Sequence, residues 1–366
     1  MIEIKNLFKL YGSKRAVDNI SLKIEKGEIV GFLGPNGAGK TTTMNIITGY
    51  ISATLGTVIV DGIDISKNPY EAKKKIGYLP EKPPLYLDMT VSEYLDFVYD
   101  IKGVKLPKKE HLDEIMQLVK IDDVKNRLIK NLSKGYKQRV GIAQALVGDP
   151  EILILDEPTV GLDPKQIKEI RGVIAKLGKD RTVIVSSHIL AEIEAICKKV
   201  IIINQGKLMA QGTKEELSEK LSAANTLSVR VMGNLTEIKQ KLLEIDGIIS
   251  AEPVANAENG AYDFKVTFDD GRDIRKDMFF ALSEADMPIL ELRSNKLTLE
   301  QIFLKLTSEE ALLALQKKQD LKREKAIKAM EDAKKDTENE DNSEDNKEEK
   351  ILNEGEEEKD DSNIKA

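Results

Sequence analysis

The sequence of 366 residues has no tryptophan, one cysteine (Cys197) and two histidines (His111 and His188). A single cysteine excludes a disulfide framework, and so few thiols and imidazoles exclude a metal site built from cysteine and histidine. A chain with one cysteine is typical of a reducing compartment. We therefore expect a globular protein held together by an apolar core, which a chain of this length is able to form.

Long apolar runs are also missing. No stretch approaches the roughly 18 uncharged apolar residues that a membrane-spanning helix requires. The N-terminal residues lack the basic segment and following apolar segment of a signal peptide. We therefore expect a cytoplasmic protein, for which any role at a membrane must come through a partner.

The charge of the chain is concentrated at one end. The formal net charge is −7, but residues 331–366 hold 16 acidic and 6 basic side chains, which leaves the other 330 residues at +3. A near-neutral body without a basic stripe does not favour nucleic-acid binding, and no nucleic-acid partner is expected. The acidic tail has almost no apolar residues to offset the entropy lost on ordering, so we predict that it is disordered.

Residues 1–215 alternate short apolar segments with helical segments, which is typical of an α/β domain. Segments 2–7 and 20–25 alternate apolar and polar residues, as half-exposed antiparallel strands do. Later segments are continuously apolar and fit strands covered on both faces. These are residues 29–33, 152–155, 183–185 and 200–203. Residues 88–146 are predicted to be mainly helical.

The remaining sequence predicts a second folded region. Residues 226–294 follow the order β-α-β-β-α-β, which is that of a small ferredoxin-like fold. Residues 298–330 are rich in Leu, Lys, Glu and Ala and favour a helix. We therefore divide the chain into an α/β domain at 1–215, an accessory α+β domain at 226–307 that ends in a helix, a helical extension at 308–330 and the tail.

A phosphate-binding motif follows the first continuously apolar segment. Residues 34–42 read Gly-Pro-Asn-Gly-Ala-Gly-Lys-Thr-Thr, which is the pattern G-x-x-x-x-G-K-[ST] between a strand and a helix. Its glycines let backbone N–H groups surround phosphate oxygens, Lys40 reaches the β- and γ-phosphates, and the Thr41 hydroxyl binds Mg²⁺. The alternative is a glycine-rich turn without a ligand. The predicted nucleotide-binding residues of this loop are Gly34, Pro35, Asn36, Gly37, Ala38, Gly39, Lys40, Thr41 and Thr42.

Two acidic residues end the apolar segment 152–155. Asp156 is expected to bind Mg²⁺, directly or through water, and Glu157 to act as a general base or to orient the attacking water. The alternative is a strand end followed by a helix-capping acid. Beside a phosphate loop, we favour the catalytic interpretation.

Residues 131–140 read Asn-Leu-Ser-Lys-Gly-Tyr-Lys-Gln-Arg-Val. Taken alone, Ser133 is a helix N-cap and Gly135 is a turn residue. Followed by an apolar segment that ends in Asp-Glu-Pro, the sequence Leu-Ser-x-Gly resembles the signature of ABC-type ATPases. That family uses the residues at Ser133 and Gly135 to contact the γ-phosphate. Here Lys134 replaces a glycine of the common form and Tyr136 replaces a glutamine.

Three further positions resemble functional residues of the same family. Asp163, in the sequence Pro-Thr-Val-Gly-Leu-Asp-Pro, resembles the marker of its dimer-interface loop. His188 resembles the histidine that contacts the γ-phosphate and the attacking water, although a lone histidine is more often structural. Tyr11 resembles the aromatic residue that stacks on adenine, with an ordinary strand-end tyrosine as the alternative.

Glu81 stands where the family often has glutamine. A carboxylate at this position is still able to bind Mg²⁺, and it adds negative charge near the phosphates. The next segment, residues 82–89, is apolar and contains two prolines. In the family this neighbourhood lines the groove that receives a coupling helix of a membrane subunit. The alternative is a loop that packs on its own helical subdomain.

The resemblance covers residues 1–215 and implies a P-loop α/β fold with an antiparallel β subdomain and a helical subdomain. It also implies an ATPase that uses ATP and Mg²⁺ and dimerises with itself or a paralogue, with ATP between Lys40 of one copy and Ser133 of the other. The sequences at 76–81 and 132–139 resemble gliding-motility-type, multidrug-type and copper-processing-type exporters, whose integral-membrane permease is a separate subunit. Two alternatives are a soluble ATPase of this family that remodels a ribosome or nucleic-acid complex and a nucleotide-responsive scaffold.

Overall fold

A computed structural model describes residues 1–221, 225–256, 260–269, 273–294, 297–308 and 312–313. Residues 1–307 form one compact unit, which contains the sheets and helices described below. Within the described ranges, no helix combines the length and apolar character needed to cross a membrane.

The elements of residues 1–221 alternate between strands and helices. In chain order they are β1 (Ile2–Tyr11), β2 (Lys14–Ile24), β3 (Ile29–Leu33), α1 (Lys40–Ile47), β4 (Leu55–Val60), β5 (Ile63–Asp64), α2 (Pro69–Lys74), β6 (Ile76–Leu79), α3 (Val91–Ile101), α4 (Lys108–Val119), α5 (Lys134–Leu146), β7 (Ile152–Leu155), α6 (Pro164–Leu177), β8 (Thr182–Ser186), α7 (Leu190–Ile196), β9 (Lys199–Asn204), β10 (Lys207–Thr213) and α8 (Lys214–Leu221).

An antiparallel sheet has the strand order β2-β1-β4-β5. Ile2 pairs with Ile24 and Ile4 pairs with Leu22, and all four side chains are buried. Because side chains alternate between the two faces of a strand, the polar residues between them lie on the other face. The antiparallel strands predicted from alternating residues are therefore confirmed.

A six-stranded sheet has the order β10-β9-β3-β8-β7-β6, in which only β10 is antiparallel to its neighbour. Every residue of β7 and β8 is buried, as expected for strands covered on both faces. Strands β3, β8 and β7 are adjacent and end at the same edge. The residues that follow them, Gly34, Ser187 and Asp156, therefore meet there, where open α/β sheets bind ligands.

Helices α3, α4 and α5 pack together and form the helical subdomain between β6 and β7. Helix α3 begins at a capping box, in which the Thr90 hydroxyl accepts from the N–H of Glu93 and the Glu93 carboxylate accepts from the N–H of Thr90. Helix α5 begins at Ser133, whose hydroxyl accepts a hydrogen bond from the N–H of Tyr136. The predicted helical character of residues 88–146 is confirmed.

A second antiparallel sheet lies in residues 225–294. Among the described residues, the elements between 225 and 307 are β11 (Asn225–Met232), α9 (Leu235–Leu243), β12 (Ile248–Asn256), β13 (Ala261–Phe268), α10 (Arg275–Glu284), β14 (Ile289–Ser294) and α11 (Leu299–Thr307). The strand order is β12-β13-β11-β14, and the element order up to β14 is the predicted β-α-β-β-α-β. Its apolar core is a cluster of its own, in which Val229 and Phe264 of the sheet meet Ile238 and Met278 of the two helices.

Helix α11 does not belong to that cluster. Leu299 and Ile302 are buried in the core of residues 1–221, where α11 contacts α7, α8, β9 and β10. The Asn204 amide donates to the carbonyl oxygen of Thr307 at 3.1 Å. The helix therefore packs back on the α/β part, whereas the sequence grouped it with the accessory domain at 226–307. The predicted extension at 308–330, apart from Ser308, Leu312 and Leu313, and the predicted tail at 331–366 lie outside the described residues.

Candidate active site

The loop between β3 and α1 turns tightly around its glycines. Gly39 is the N-cap of α1 and has a φ of 102°, a left-handed conformation that favours glycine. A Cβ atom at Gly39 would lie 2.5 Å from the carbonyl oxygen of Ala16, and one at Gly34 would lie 2.5 Å from that of Ile203. The loop is therefore packed closely against neighbouring backbone, which holds its N–H groups and the start of α1 in place.

Lys40 is 7% exposed, and its ammonium group is held by the loop itself. Nζ donates to the carbonyl oxygen of Gly34 at 2.8 Å and to that of Pro35 at 3.4 Å. Two carbonyl oxygens solvate the charge without neutralising it, because neither carries a formal charge. The ammonium therefore remains able to attract an anion that enters the loop.

Asp156 is fully buried at the end of β7. Its Oδ1 accepts a hydrogen bond from the Ser186 hydroxyl at 2.5 Å, whereas its Oδ2 is buried and meets no hydrogen-bond donor among the described residues. A buried carboxylate oxygen that lacks a partner is unfavourable unless a cation or water meets it. This orphaned oxygen fits the predicted role of Asp156 as a magnesium ligand.

Glu157 has a φ of 49°, which is uncommon for a residue with a side chain. Its N–H donates to the Ser186 hydroxyl at 2.8 Å, so the same serine fixes Asp156 and Glu157. Oε2 of Glu157 lies 2.8 Å from Nδ1 of His188, which follows strand β8. The structure thus brings Glu157, the predicted base, into direct contact with His188, the histidine predicted to meet the γ-phosphate.

A cleft of about 330 Å³ opens over the phosphate loop. Glu157 and Glu81 lie on its wall together with Tyr11, which is 49% exposed. Lys14 and Ala16, at the start of β2, also line the cleft, although no motif in the sequence pointed to them. The loop residues that line it are Asn36, Gly37, Ala38, Gly39, Lys40, Thr41 and Thr42.

Gly34 and Pro35 of the phosphate loop do not line this cleft, and neither do three predicted nucleotide-binding residues from elsewhere in the chain. Ser133 and Asp163 are exposed, and they are the N-caps of α5 and α6. Oδ1 of Asp163 accepts from the N–H of Gln166 at 2.9 Å. Gly135 is buried in the first turn of α5, where an added Cβ would lie 2.8 Å from the Gln166 side chain. Within one copy, these residues do not share a site with Lys40.

Tyr78, on β6 ahead of Glu81, connects the cleft to the core. Its hydroxyl donates to Oδ1 of Asn45 at 2.9 Å, and the Gln144 amide donates to its carbonyl oxygen at 2.7 Å. Burial, and then the nearby Asp156 carboxylate, raises the pKa of Tyr78. The phenol therefore stays protonated and holds α1 against the strand that leads to Glu81.

The geometry agrees with comparisons to known proteins. A family model described as "ABC transporter" matches residues 17–160. A bacitracin transport ATP-binding protein of Bacillus licheniformis is 41% identical over 222 residues, which cover 60% of this chain and 72% of that protein. This chain belongs to the family of ABC transporter ATP-binding proteins.

Two other similar proteins support the assignment. The lipopolysaccharide export system ATP-binding protein of Haemophilus influenzae is 36% identical over 222 residues, which cover 59% of this chain and 92% of that protein. A dimeric structure of a post-hydrolysis state of the ATP-binding cassette MJ0796, bound to ADP and Pi, is 28% identical. It has a TM-score of 0.54 and covers 58% of this chain and 98% of that one.

This ABC transporter ATP-binding protein therefore binds and hydrolyses ATP. The predicted fold, a P-loop α/β domain with antiparallel and helical parts, is confirmed for the region that matches the cassettes. Cassettes of this family dimerise and act with membrane subunits in transporters. The interpretation as a transporter subunit is thereby supported over a soluble remodelling ATPase.

Proposed function

We propose that ATP closes this chain into a dimer, with itself or a paralogue, and that the dimer drives a separate integral-membrane permease that exports its substrate. The observation that carries the proposal is the separation of the site within one copy. The phosphate loop, Glu157 and Tyr11 line one cleft, whereas Ser133 is exposed at another place. A second copy that supplies Ser133 and Gly135 completes the contacts to the γ-phosphate.

Different residues of the cleft contact different parts of ATP. Tyr11 stacks on adenine, the loop N–H groups surround the phosphates, and Lys40 moves from the carbonyl oxygen of Gly34 to the β- and γ-phosphates. Each of these contacts positions the phosphates or offsets their charge, which is most of what phosphoryl transfer requires of a protein.

The predicted magnesium ligands are Thr41, Asp156 and Glu81. The buried Oδ2 of Asp156, which no described residue meets as a hydrogen-bond donor, supports this set, and hydroxyl and carboxylate oxygens are ligands suited to Mg²⁺. When bound, the ion offsets negative charge on the β- and γ-phosphates. Glu81 in place of the common glutamine adds one more negative charge to the set.

Glu157 orients the attacking water or removes its proton. His188 holds the Glu157 carboxylate at 2.8 Å and presents its other ring nitrogen to the γ-phosphate and the water. Asp163 lies at the dimer interface. ATP favours the closed dimer because it adds contacts that exist only there, and hydrolysis removes them.

The export direction is supported by the name of one relative, the lipopolysaccharide export system ATP-binding protein, and the bacitracin relative is named for transport. Residues 82–89 follow Glu81 and include the exposed side chains of Tyr86 and Leu87. We assign this segment to the groove that receives a coupling helix of the permease.

The test is the variant Glu157→Gln, which keeps the size of the side chain and removes the carboxylate. Hydrolysis should fall by at least about 10²-fold, since a general base contributes at least that factor. ATP should then trap a dimer that is visible by size-exclusion chromatography with light scattering. Glu151→Gln, at the other end of β7, is the matched control and should hydrolyse ATP at the parent rate. Hydrolysis by Glu157→Gln at the parent rate would contradict the assignment of the base.

The permease is tested by recovering tagged Glu157→Gln protein from detergent-solubilised native membranes with ATP present. One polytopic membrane protein in near-equal amount supports the proposed transporter. Recovery of soluble partners only would contradict the permease and leave the ATPase assignment intact.

A further inference from the structure

Glu192 is a buried carboxylate that the proposed mechanism does not use. It lies in the first turn of α7 and is only 6% exposed. Its Oε2 accepts hydrogen bonds from the Thr159 hydroxyl at 2.5 Å and from the Ser187 hydroxyl at 3.3 Å. Both hydroxyl residues are themselves buried. A single carboxylate oxygen therefore joins two separate loops inside the protein.

These two loops carry the reacting side chains. Thr159 lies two residues after Glu157, and Ser187 directly precedes His188. The Ser187 hydroxyl also accepts from the N–H of Ile189 at 3.0 Å, which fixes the backbone turn around His188. The position of Glu192 thus constrains both sides of the contact between Glu157 and His188.

We propose that Glu192 is a positioning residue for ATP hydrolysis, which sets the relative placement of Glu157 and His188 by holding Thr159 and Ser187 together. The proposal rests on the roles of Glu157 and His188 in the proposed function.

Physical chemistry favours this role over simple packing. Burying a carboxylate is costly, and an apolar side chain of similar size would fill the same space without that cost. Oε1 of Glu192 is buried, and nothing in the described part of the chain donates a hydrogen bond to it, so the desolvation is only partly compensated. A carboxylate here has one advantage over an apolar group, because it accepts strong hydrogen bonds from two hydroxyl donors at once.

Ser186 complements this arrangement from the other side. Its hydroxyl donates to Asp156 and accepts from the N–H of Glu157, whereas Glu192 accepts from the hydroxyl of Thr159. Pro158, which lies between Glu157 and Thr159, has no N–H to donate. The strained backbone of Glu157 is thus held on both sides by side-chain hydrogen bonds, as expected where geometry must be exact for function.

The first experiment compares steady-state ATP hydrolysis by the parent, Glu192→Leu, Glu192→Gln and Thr159→Val. A displacement of about 1 Å in a reacting group is able to cost about 10²-fold in rate. We therefore expect Glu192→Leu to lower kcat by about 10- to 100-fold. KM for ATP should change by less than about 3-fold, because Glu192 does not line the cleft. Thr159→Val should lower kcat in the same way, whereas Glu192→Gln retains an acceptor oxygen and should recover most of the rate. Equal rates for Glu192→Leu and the parent would overturn the proposal.

Cys197 provides a control for folding, because it is the single cysteine of the chain and directly follows α7. Burial raises the pKa of its thiol to about 12, so alkylation should be slow in the folded protein. If Glu192 only positions the loops, Glu192→Leu and the parent should be labelled by iodoacetamide at the same rate. Faster labelling of the variant would mean that Glu192 holds α7 in place, and the positioning role would be wrong.

A double variant distinguishes a failure of this inference from a failure of the proposed function. In single-turnover assays with radiolabelled ATP, Glu192→Leu should cause little further loss when His188→Ala is already present, because both act on one arrangement. If His188→Ala is impaired and Glu192→Leu still adds its full loss, only the role of Glu192 is wrong. If His188→Ala hydrolyses ATP at the parent rate, the proposed role of His188 fails and the inference fails with it.

Discussion

Oε2 of Glu157 lies 2.8 Å from Nδ1 of His188, although the two residues are 31 positions apart and follow different strands. The hydrogen bond occupies Nδ1, so Nε2 is the ring nitrogen that is left to meet a nucleotide. The two side chains differ in exposure, with 51% for His188 and 12% for Glu157. The carboxylate is held inside the site, and the imidazole extends from it toward solvent.

This relationship predicts a kinetic effect for His188→Ala. The variant should lower kcat by about 10²- to 10⁴-fold, which is the usual range for the loss of a group that assists proton transfer. KM for ATP should change by less than about 3-fold, because the phosphate loop and Tyr11 are unaffected. Steady-state ATP hydrolysis measures both quantities.

The other histidine is the control for this prediction. Nε2 of His111 accepts from the N–H of Gly148 at 3.0 Å in the helical subdomain, and its ring lies beside Tyr99, whereas the His188 ring contacts Glu157. His111→Gln should therefore retain the parent kcat. A comparable loss of kcat in both histidine variants would show that the effect of His188→Ala is not specific to the site.

The parts of the site that could be predicted from the sequence are those made by neighbouring residues. The loop at 34–42, the pair Asp156 and Glu157, and His188 each follow a strand, and parallel strands bring their ends to one edge. Their proximity follows from local patterns and one rule of sheet topology.

Residues that act through tertiary contacts could not be found in this way. Ser186 and Glu192 belong to no motif, and their function is visible only through the partners that the fold brings to them. Lys14 and Ala16 reach the cleft because β2 lies beside the phosphate loop. The sequence predicts a helix at α11, but the return of this helix to the α/β core depends on contacts between residues about 100 positions apart. The spacing of apolar residues within one helix does not indicate which other elements that helix contacts.

The proposed stacking of Tyr11 on adenine predicts that the affinity for ATP falls when the ring is removed. Tyr11→Ala should raise the Kd for ATP by about 5-fold, since an aromatic stacking contact contributes about 1 kcal/mol. Tyr11→Phe should bind like the parent because it keeps the ring. Titration of the Glu157→Gln protein with a fluorescent ATP analogue measures the affinity without turnover.

Tyr70→Ala is the matched control for Tyr11→Ala. Tyr70 is 66% exposed and has a lysine amine, Lys74 Nζ, 4.2 Å from its ring centroid, as Tyr11 has Lys9 Nζ at 5.2 Å. It does not line the cleft, so its loss should leave the Kd unchanged. An unchanged Kd in Tyr11→Ala would show that adenine lies elsewhere.

The packing of helix α11 predicts that substitutions at two of its residues change the free energy of unfolding by different amounts. Ile302 is fully buried in the α/β core, whereas Leu304 is 61% exposed on the same helix. Ile302→Ala should lower the free energy of unfolding by about 2–5 kcal/mol because it leaves a cavity. Leu304→Ala should change it by no more than about 0.5 kcal/mol. Urea unfolding followed by circular dichroism measures both, and similar values would contradict the packing of α11 on this core.

The ion pairs of Glu151 predict that the free energy of unfolding depends on pH in acid. Its carboxylate accepts from the Lys75 ammonium and from that of Lys26 at 2.9 Å. The hydrogen bond from Lys75, and then that from Lys26, lowers the pKa of Glu151 to about 2 from its ordinary value of 4.5. The unfolded chain therefore takes up the proton first as the pH falls. The stabilisation is fully present above pH 4.5 and is lost as the pH falls from 4.5 to about 2.

Glu151→Gln measures this contribution. Because all three side chains are 35% exposed or more, the ion pairs should stabilise the protein by no more than about 1 kcal/mol at pH 7. The difference in free energy of unfolding between parent and variant, measured in urea, should be constant from about pH 7 to 5 and shrink toward zero near pH 2. At pH 7 it should also decrease in about 1 M NaCl, which screens exposed charges. A difference that stays constant down to pH 3 would show that the lysines do not hold the carboxylate in its ionised form.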